Sequence, residues 1–412
     1  MSSRLGEVAA AFLKLGVIGF GGPAAHTALM RDELVRRRGW VSDERFLDLM
    51  GATNLIPGPN STELAIHLGH ERARARGLVV AGVCFILPAF VLVLALAWAY
   101  GRYGRTPAAE GLLYGIKPVV VAIVVWAVAG LTKTAIKNAP TGIVAAAVLV
   151  AYLLGVNELL LLAGGGLLVM AWRLRPDGHA LLLLFPLDPL RRALFPLDPL
   201  RPALFPLDPL RPALFPLDAI RRIPYFLDPS GGDLIRLFLT FLKIGSVLYG
   251  SGYVLLAFLE GDFVVRLGWL TQEQLLDAIS IGQVTPGPVF TTATFIGYVI
   301  AGLPGAVLAT IGIFAPSFVF VALLTRLVHW IRGRAWSSAF LDGVNAAALA
   351  LMAGVTLHLG REALVDPLTV VLAGVTLILQ WRTRINTAWF IAAAAGIGTA
   401  RALFLLAYPM GV

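Results

Sequence analysis

Phe12-Leu13-Lys14-Leu15-Gly16 returns 229 residues later as Phe241-Leu242-Lys243-Ile244-Gly245. In the same register Arg37 meets Arg266, Gly39-Trp40 meets Gly268-Trp269, and Pro57-Gly58-Pro59 meets Pro286-Gly287-Pro288. After a slip of one residue, Gly77, Pro88 and Gly115 answer to Gly305, Pro316 and Gly343. So many matches in one register mark an internal duplication. The chain divides into a half at 1–172, a linker at 173–232 and a second half at 233–412.

Both halves are written for lipid. Of 412 residues, 58% are hydrophobic and 14% charged, against about 25% charged in soluble domains. Apolar stretches at 77–100, 115–131, 141–155, 303–324 and 344–359 approach the roughly 20 residues that cross a bilayer. These features predict an all-α polytopic membrane protein. Each half carries about five to six apolar segments, and the lipid bilayer is its first partner. The net charge of +9 sits in short loops, as the positive-inside rule expects, so it gives no case for nucleic acid. Cys84 is the single cysteine. It has no partner for a disulfide and no spacing that suggests a metal. No cofactor fingerprint and no cleavable signal peptide are read. In the linker, Phe185-Pro186-Leu187-Asp188-Pro189-Leu190 recurs with a period of ten. Its prolines exclude a continuous helix, and it reads as a polar-side spacer.

Loop charge suggests how the halves sit. Residues 71–76 carry three arginines where their counterparts at 298–303 carry none, and 326–334 are again basic. With both basic loops and Lys133 and Lys137 in the cytoplasm, the halves become inverted repeats. The crossing count then closes only if one broken segment fails to span.

The breaks carry the chemistry. Pro57-Gly58-Pro59 interrupts an apolar segment, and two prolines there remove two backbone donors. Broken backbone inside a membrane is tolerated only in protein or beside a wet cavity. Asn60-Ser61-Thr62-Glu63 follows as a fresh helix start, whose amides and dipole favour an anion. Pro286-Gly287-Pro288, followed by Val289-Phe290-Thr291-Thr292, repeats the device. Two such ends facing one another would make an anion site with Asn60, Ser61, Thr291 and Thr292 adding bonds; the other reading is a pair of packing kinks. Phe20-Gly21-Gly22-Pro23, ahead of His26, is another break, suited to a close ligand or to close helices. Lys14, Lys117 and Lys243 lie in apolar runs, either as site cations or snorkelling to the interface; Asn345 replaces Lys117 in the second half. Glu63, His26 and His67 are candidates to carry a coupling proton, or ordinary packing residues.

Phe12-Leu13-Lys14-Leu15-Gly16 with Phe20-Gly21-Gly22-Pro23-Ala24-Ala25-His26, then Gly39-Trp40 and Pro57-Gly58-Pro59, resembles the chromate ion transporter family. Pro286-Gly287-Pro288 and the two-half length fit its long form. The resemblance implies a multi-pass protein of the inner membrane that exports chromate, a tetrahedral dianion shaped like sulfate, and so confers resistance. Sulfate or another oxyanion as cargo, an anion channel, and a membrane-bound oxyanion reductase stay open, as does a homodimer.

Overall fold

The structure, a computed structural model, describes residues 2–20, 22–53, 55–174, 231–249, 252–331, 335–383 and 385–407. Gly21, the decapeptide repeat and residues 332–334 lie outside them. The first half runs α1 (Ser2–Ile18), α2 (Gly22–Met30), a π-helical stretch (Arg31–Arg37), α3 (Asp43–Thr53), α4 (Asn60–Tyr103), α5 (Pro107–Ala135), α6 (Ala139–Leu153) and α7 (Glu158–Arg173). The second runs α8 (Gly231–Val247), α9 (Leu255–Leu259), a π-helical stretch (Glu260–Arg266), α10 (Gln272–Val284), α11 (Thr292–Ile331), α12 (Ala335–Ala363), α13 (Pro367–Arg382) and α14 (Thr387–Ala407). The π-helical stretch recurs at the same offset as the sequence motifs. Residues 326–331 extend α11 instead of opening a basic loop.

Among the described residues, five helices are long and apolar enough to cross a membrane: Asn60–Tyr103, Pro107–Ala135, Val289–Leu323, Trp336–Ala363 and Thr387–Ala407. The apolar stretch at 141–155 forms only the 15-residue α6, about 22 Å long against roughly 30 Å of hydrocarbon. Val79, Val83, Leu87 and Val91 stand 44–55% exposed, one above another on α4, which is the stripe a spanning helix turns to lipid.

Two long helices are really hairpins. α4 loses helical geometry at Ala73 and Arg74 (φ 57°, ψ −147°), and α11 does so at Ala301 and Gly302 (φ 61°, ψ −151°). The arms then fold back in contact. A Cβ added at Gly69 would stand 2.4 Å from the Gly77 carbonyl oxygen, and one at Gly77 would stand 2.1 Å from that of Gly69. Gly297 and Gly305 repeat the contact at 2.3 and 2.2 Å. Glycine is required on both arms because only bare backbone fits this approach. Arg74 is the only non-glycine residue with positive φ among the described residues; its counterpart is Gly302.

Both broken segments of the first half return to the face they left. Arg72 at the end of the first α4 arm pairs with Glu7 of α1 at 2.6 Å, and Arg45 of α3 pairs with Glu71. The Arg72 guanidinium also lies 5.2 Å over Trp40. The start of α1, the Gly39-Trp40 turn, the start of α3 and the hairpin bend therefore meet on one face. Where the sequence required one non-spanning segment, the structure has two re-entrant ones.

The halves run in opposite directions. A Cβ at Gly101, the far end of α4, would lie 3.8 Å from the Tyr298 ring beside the second bend. The last turn of α5 shares a cavity with the first turns of α12, and the first turns of α5 share another with the end of α12. The equivalent helices α5 and α12 are thus antiparallel. They also exchange partners: α5 packs on α13 and α14, and α12 on α6 and α7. Bare backbone again permits it. A Cβ at Gly115 would fall 1.9 Å from Ala394 O, and one at Gly343 would fall 2.3 Å from Gly165 O.

Candidate functional site

The tips of the re-entrant segments meet between the halves. The Gly58 amide donates to Leu248 O at 2.8 Å, and the Gly287 amide donates to Gly19 O at 2.7 Å. Leu248 lies 229 residues after Gly19, so this is one contact made twice. Each Pro-Gly-Pro keeps a single amide and spends it on the carbonyl at the other half's first break, which answers the desolvation cost of broken backbone. The glycines take φ +136° at Gly58 and +92° at Gly287, both outside the reach of an ordinary side chain.

Helices restart at once. Thr62 and Glu63 donate their amides to Pro59 O, and Thr291 donates to Pro288 O. The amides of Asn60, Ser61, Val289 and Phe290 come before those first bonds. Both starts line one cavity of about 1120 Å³. Pro59, Asn60 and Ser61 come from one tip, Pro288, Val289 and Phe290 from the other, and Pro23 and His26 from α2. Asn345 and Met352 of α12 form a wall, and Lys133, Lys137 and Asp342 stand toward the ends of α5 and α12. Lys137 pairs with Asp342 at 2.6 Å, and Arg173 pairs with the same carboxylate at 2.8 Å. Among the described residues Lys133 has no carboxylate partner.

His26 binds this region together. It is 2% exposed, with Nε2 2.9 Å from Gly19 O and Nδ1 3.2 Å from Ser61 Oγ. The Phe85 ring closes over it edge-on at 5.5 Å. Behind the tip, Glu63 is fully buried. Ser317 Oγ donates to its Oε1 at 3.4 Å, while Oε2 has no partner among the described residues. A Cβ at Gly58 would fall 2.2 Å from that Oε1, so the carboxyl rests on the broken backbone itself.

The other sequence candidates lie elsewhere. Lys14 pairs with Glu33 at 2.7 Å and Lys243 with Asp262 at 2.6 Å, the same pair in both halves, and neither lysine lines the cavity. Lys117 pairs with Asp277 at 2.9 Å and Glu273 at 3.0 Å. It lines a second cavity of about 870 Å³ on the opposite face, with Tyr100, Tyr114 and Arg401. Thr291 and Thr292 are fully buried and give their hydroxyls to Pro288 O and Val289 O. His67 is buried away from the cavity. Pro57 and Pro286 flank the tips without lining it, and Gly22 (φ +78°) turns the chain into α2.

Sequence reading missed Lys133 and Lys137 as lining groups, although their place after an apolar run was plain. It missed Ser317 because nothing local marks a serine after Pro316. The two cavities share no lining residue, yet they are mates: Thr134, Ser338, Leu341, Asp342 and Asn345 of the first correspond, 228 residues away, to Glu362, Glu110, Leu113, Tyr114 and Lys117 of the second. Among the described residues no cluster of His, Cys, Asp or Glu could hold a metal ion.

The sequence profile of the chromate transporter family matches residues 6–170 and 235–399, the two halves without the linker. A chromate transport protein of Cupriavidus metallidurans is 33% identical over 405 residues, covering 97% of this chain and 92% of that protein. A probable chromate transport protein of Synechococcus elongatus is 30% identical, covering 90% and 88%. A chromate transport protein of Pseudomonas aeruginosa is 29% identical, covering 95% and 91%. No solved structure matches the chain.

Proposed function

This chain belongs to the chromate transporter family, and from that premise we propose that it exports chromate across the inner membrane by secondary transport and so confers chromate resistance. It is a transporter and not an enzyme. One observation carries the site: two Pro-Gly-Pro helix starts, one from each half, open on a single cavity. A tetrahedral dianion there meets backbone amides and two positive dipole ends. Asn60 and Ser61 add side-chain bonds, and Lys133 and Lys137 give the approach a positive potential. By the positive-inside rule those lysines face the cytoplasm, the side from which an exporter loads.

The paired cavities favour a carrier over a channel. The second cavity is the mate of the first on the other face, but it stops at the Lys117–Asp277–Tyr100 cluster, where Tyr100 donates to Asp277 at 2.7 Å. Opening that cluster while closing the α5–α12 end would exchange the roles of the two halves, the motion expected of inverted repeats.

The test is flux in liposomes that contain the purified protein. Saturable chromate movement, driven uphill by an imposed pH gradient or membrane potential and competed by sulfate, is expected. Movement that only dissipates gradients would make the protein a channel, and sulfate flux without chromate flux would change the cargo. No movement of either anion would end the reading.

A further inference from the structure

We propose that His26 is a proton-operated positioning residue that decides whether the Ser61 hydroxyl donates to an oxyanion in the cavity or turns away from it. The inference rests on the reading of that cavity as an oxyanion site.

The argument is one of donors and acceptors. Gly19 O is a carbonyl oxygen and can only accept, so Nε2 of His26, 2.9 Å away, carries the hydrogen. The same oxygen accepts the Gly287 amide at 2.7 Å, which fixes the imidazole to the point where the halves cross. In the neutral ring Nδ1 is then bare and can only accept. Ser61 Oγ, 3.2 Å from it, must spend its hydrogen on the ring. Ser61 then shows the cavity only lone pairs, which repel an oxyanion. When Nδ1 takes up a proton it becomes a donor, and the bond to Ser61 Oγ reverses. The Ser61 hydrogen is released and can rotate toward the cavity, which Ser61 lines. One proton therefore supplies both a positive charge and a hydrogen-bond donor, and proton and anion strengthen each other's binding equally.

The surroundings suit this device. Of the elements packed against α2, α4 carries the buried Glu63 and His67, and Lys14 of α1 pairs with Glu33 of the π-helical stretch. Tyr253 lies beside Gly22, and Lys133, Lys137 and Asp342 line the same cavity. Among the described residues the ring nitrogens of His26 bond only Gly19 and Ser61. In the second half the equivalent positions are Leu255 and Phe290, so each molecule holds one such switch.

Equilibrium binding of labelled sulfate and of chromate to the full-length protein in lipid nanodiscs, between about pH 5.5 and 8, tests it. Sulfate keeps both charges throughout, so a step in its affinity comes from the protein; chromate itself takes up a proton near neutrality. Wild type should bind sulfate about tenfold more tightly at the acid end, the scale of one charge-assisted hydrogen bond. Ser61→Ala should bind weakly with that step reduced to the smaller part that the imidazolium charge alone supplies, Ser61→Thr should restore the full step, and His26→Gln should bind with a flat profile. An equal step in wild type and Ser61→Ala, or a flat wild-type profile, overturns the switch and leaves the transport reading intact. No binding of either anion at any pH overturns both.

Discussion

At the first tip Gly58 lies under Glu63 and Ser317, with Ser61 and His26 in front of it; at the second, Gly287 lies under Ala89, with Phe290 and Leu255 in the equivalent places. The backbones are near copies, down to the crossed amide bonds at 2.8 and 2.7 Å. The side chains are not: Glu63, Ser317, Ser61 and His26 stand against Thr292, Ala89, Phe290 and Leu255, four polar groups against one hydroxyl that is spent within its own helical turn. Duplication kept what two-faced geometry needs, two equal breaks that can exchange roles. On the proposed reading a single anion would meet both tips at once, so the chemistry need settle on one side only. A second buried carboxyl and imidazole would have added desolvation cost without a second site to serve.

The largest effect that could break this comparison is all-or-none. In a Cys84→Ser background, Arg74→Cys and Gly302→Cys place thiols at the two hairpin bends. A membrane-impermeant maleimide should label them from opposite sides in sealed vesicles. Labelling of both from one side would remove the inversion, and with it the equivalence of the tips.

Next come the two glycines. Alanine at either meets a backbone conformation that disfavours a side chain, at about 1–2 kcal/mol, plus overpacking of about 1–3 kcal/mol. At Gly58 the first obstacle is the carboxyl of Glu63 at 2.2 Å, the end of a flexible side chain that can swing. At Gly287 it is the Cβ of Ala89 at 2.8 Å, which is fixed to a packed helix. Gly287→Ala should therefore lower thermal stability in detergent more than Gly58→Ala. Ala89→Gly should recover part of the first loss and none of the second.

A smaller effect separates chemistry from packing. Glu63→Gln keeps the volume and removes the acid. If Glu63 only fills space, flux is unchanged. If the carboxyl serves transport, flux should fall about tenfold while thermal stability holds or rises, as is common where function has cost stability. Thr292→Val, at the equivalent position, loses one hydroxyl bond within its own helical turn. That is worth about 1 kcal/mol and should leave flux within about twofold.

Much of this was legible in the sequence because duplication writes geometry twice. The offset located both tips, and the proline pairs announced the breaks whatever the tertiary context. The hairpin bends were legible in part. The basic run 71–76 reads as a loop between apolar segments, with 298–303 as its counterpart, and the chain reverses inside both; what the sequence did not show is the close approach at Gly69 and Gly77, which look ordinary until the arms touch. The lysines misled for a related reason. An intramembrane cation points to a site only when its carboxylate is absent, and Glu33, Asp262 and Asp277 come from elements whose approach the local pattern does not encode.

Those lysines give the smallest effects and the last test. Lys14 is 45% exposed and Glu33 keeps Arg38 at 2.8 Å when Lys14 is gone; Asp262 likewise keeps Arg266 at 2.9 Å when Lys243 is gone. A screened pair with a second cation in reserve contributes about 0–1 kcal/mol. Lys14→Met and Lys243→Met should each cost no more, with anion affinity unchanged. Lys133→Ala should weaken binding about threefold, less at high salt. The acid limb of stability separates the two roles further. Glu33 lies outside the spanning helices, and the hydrogen bond from Lys14, then that from Arg38, holds its carboxyl below the ordinary value against the opposing effect of burial. Its contribution is present above the unfolded carboxylate's value and is lost as pH falls through the lower folded one. Lys14→Met should flatten that limb and leave the binding profile alone, whereas Lys133→Ala should do the reverse. If Lys14→Met weakened anion binding as much as Lys133→Ala does, the shared lysines would belong to the site, and the second tip would be less silent than its side chains suggest.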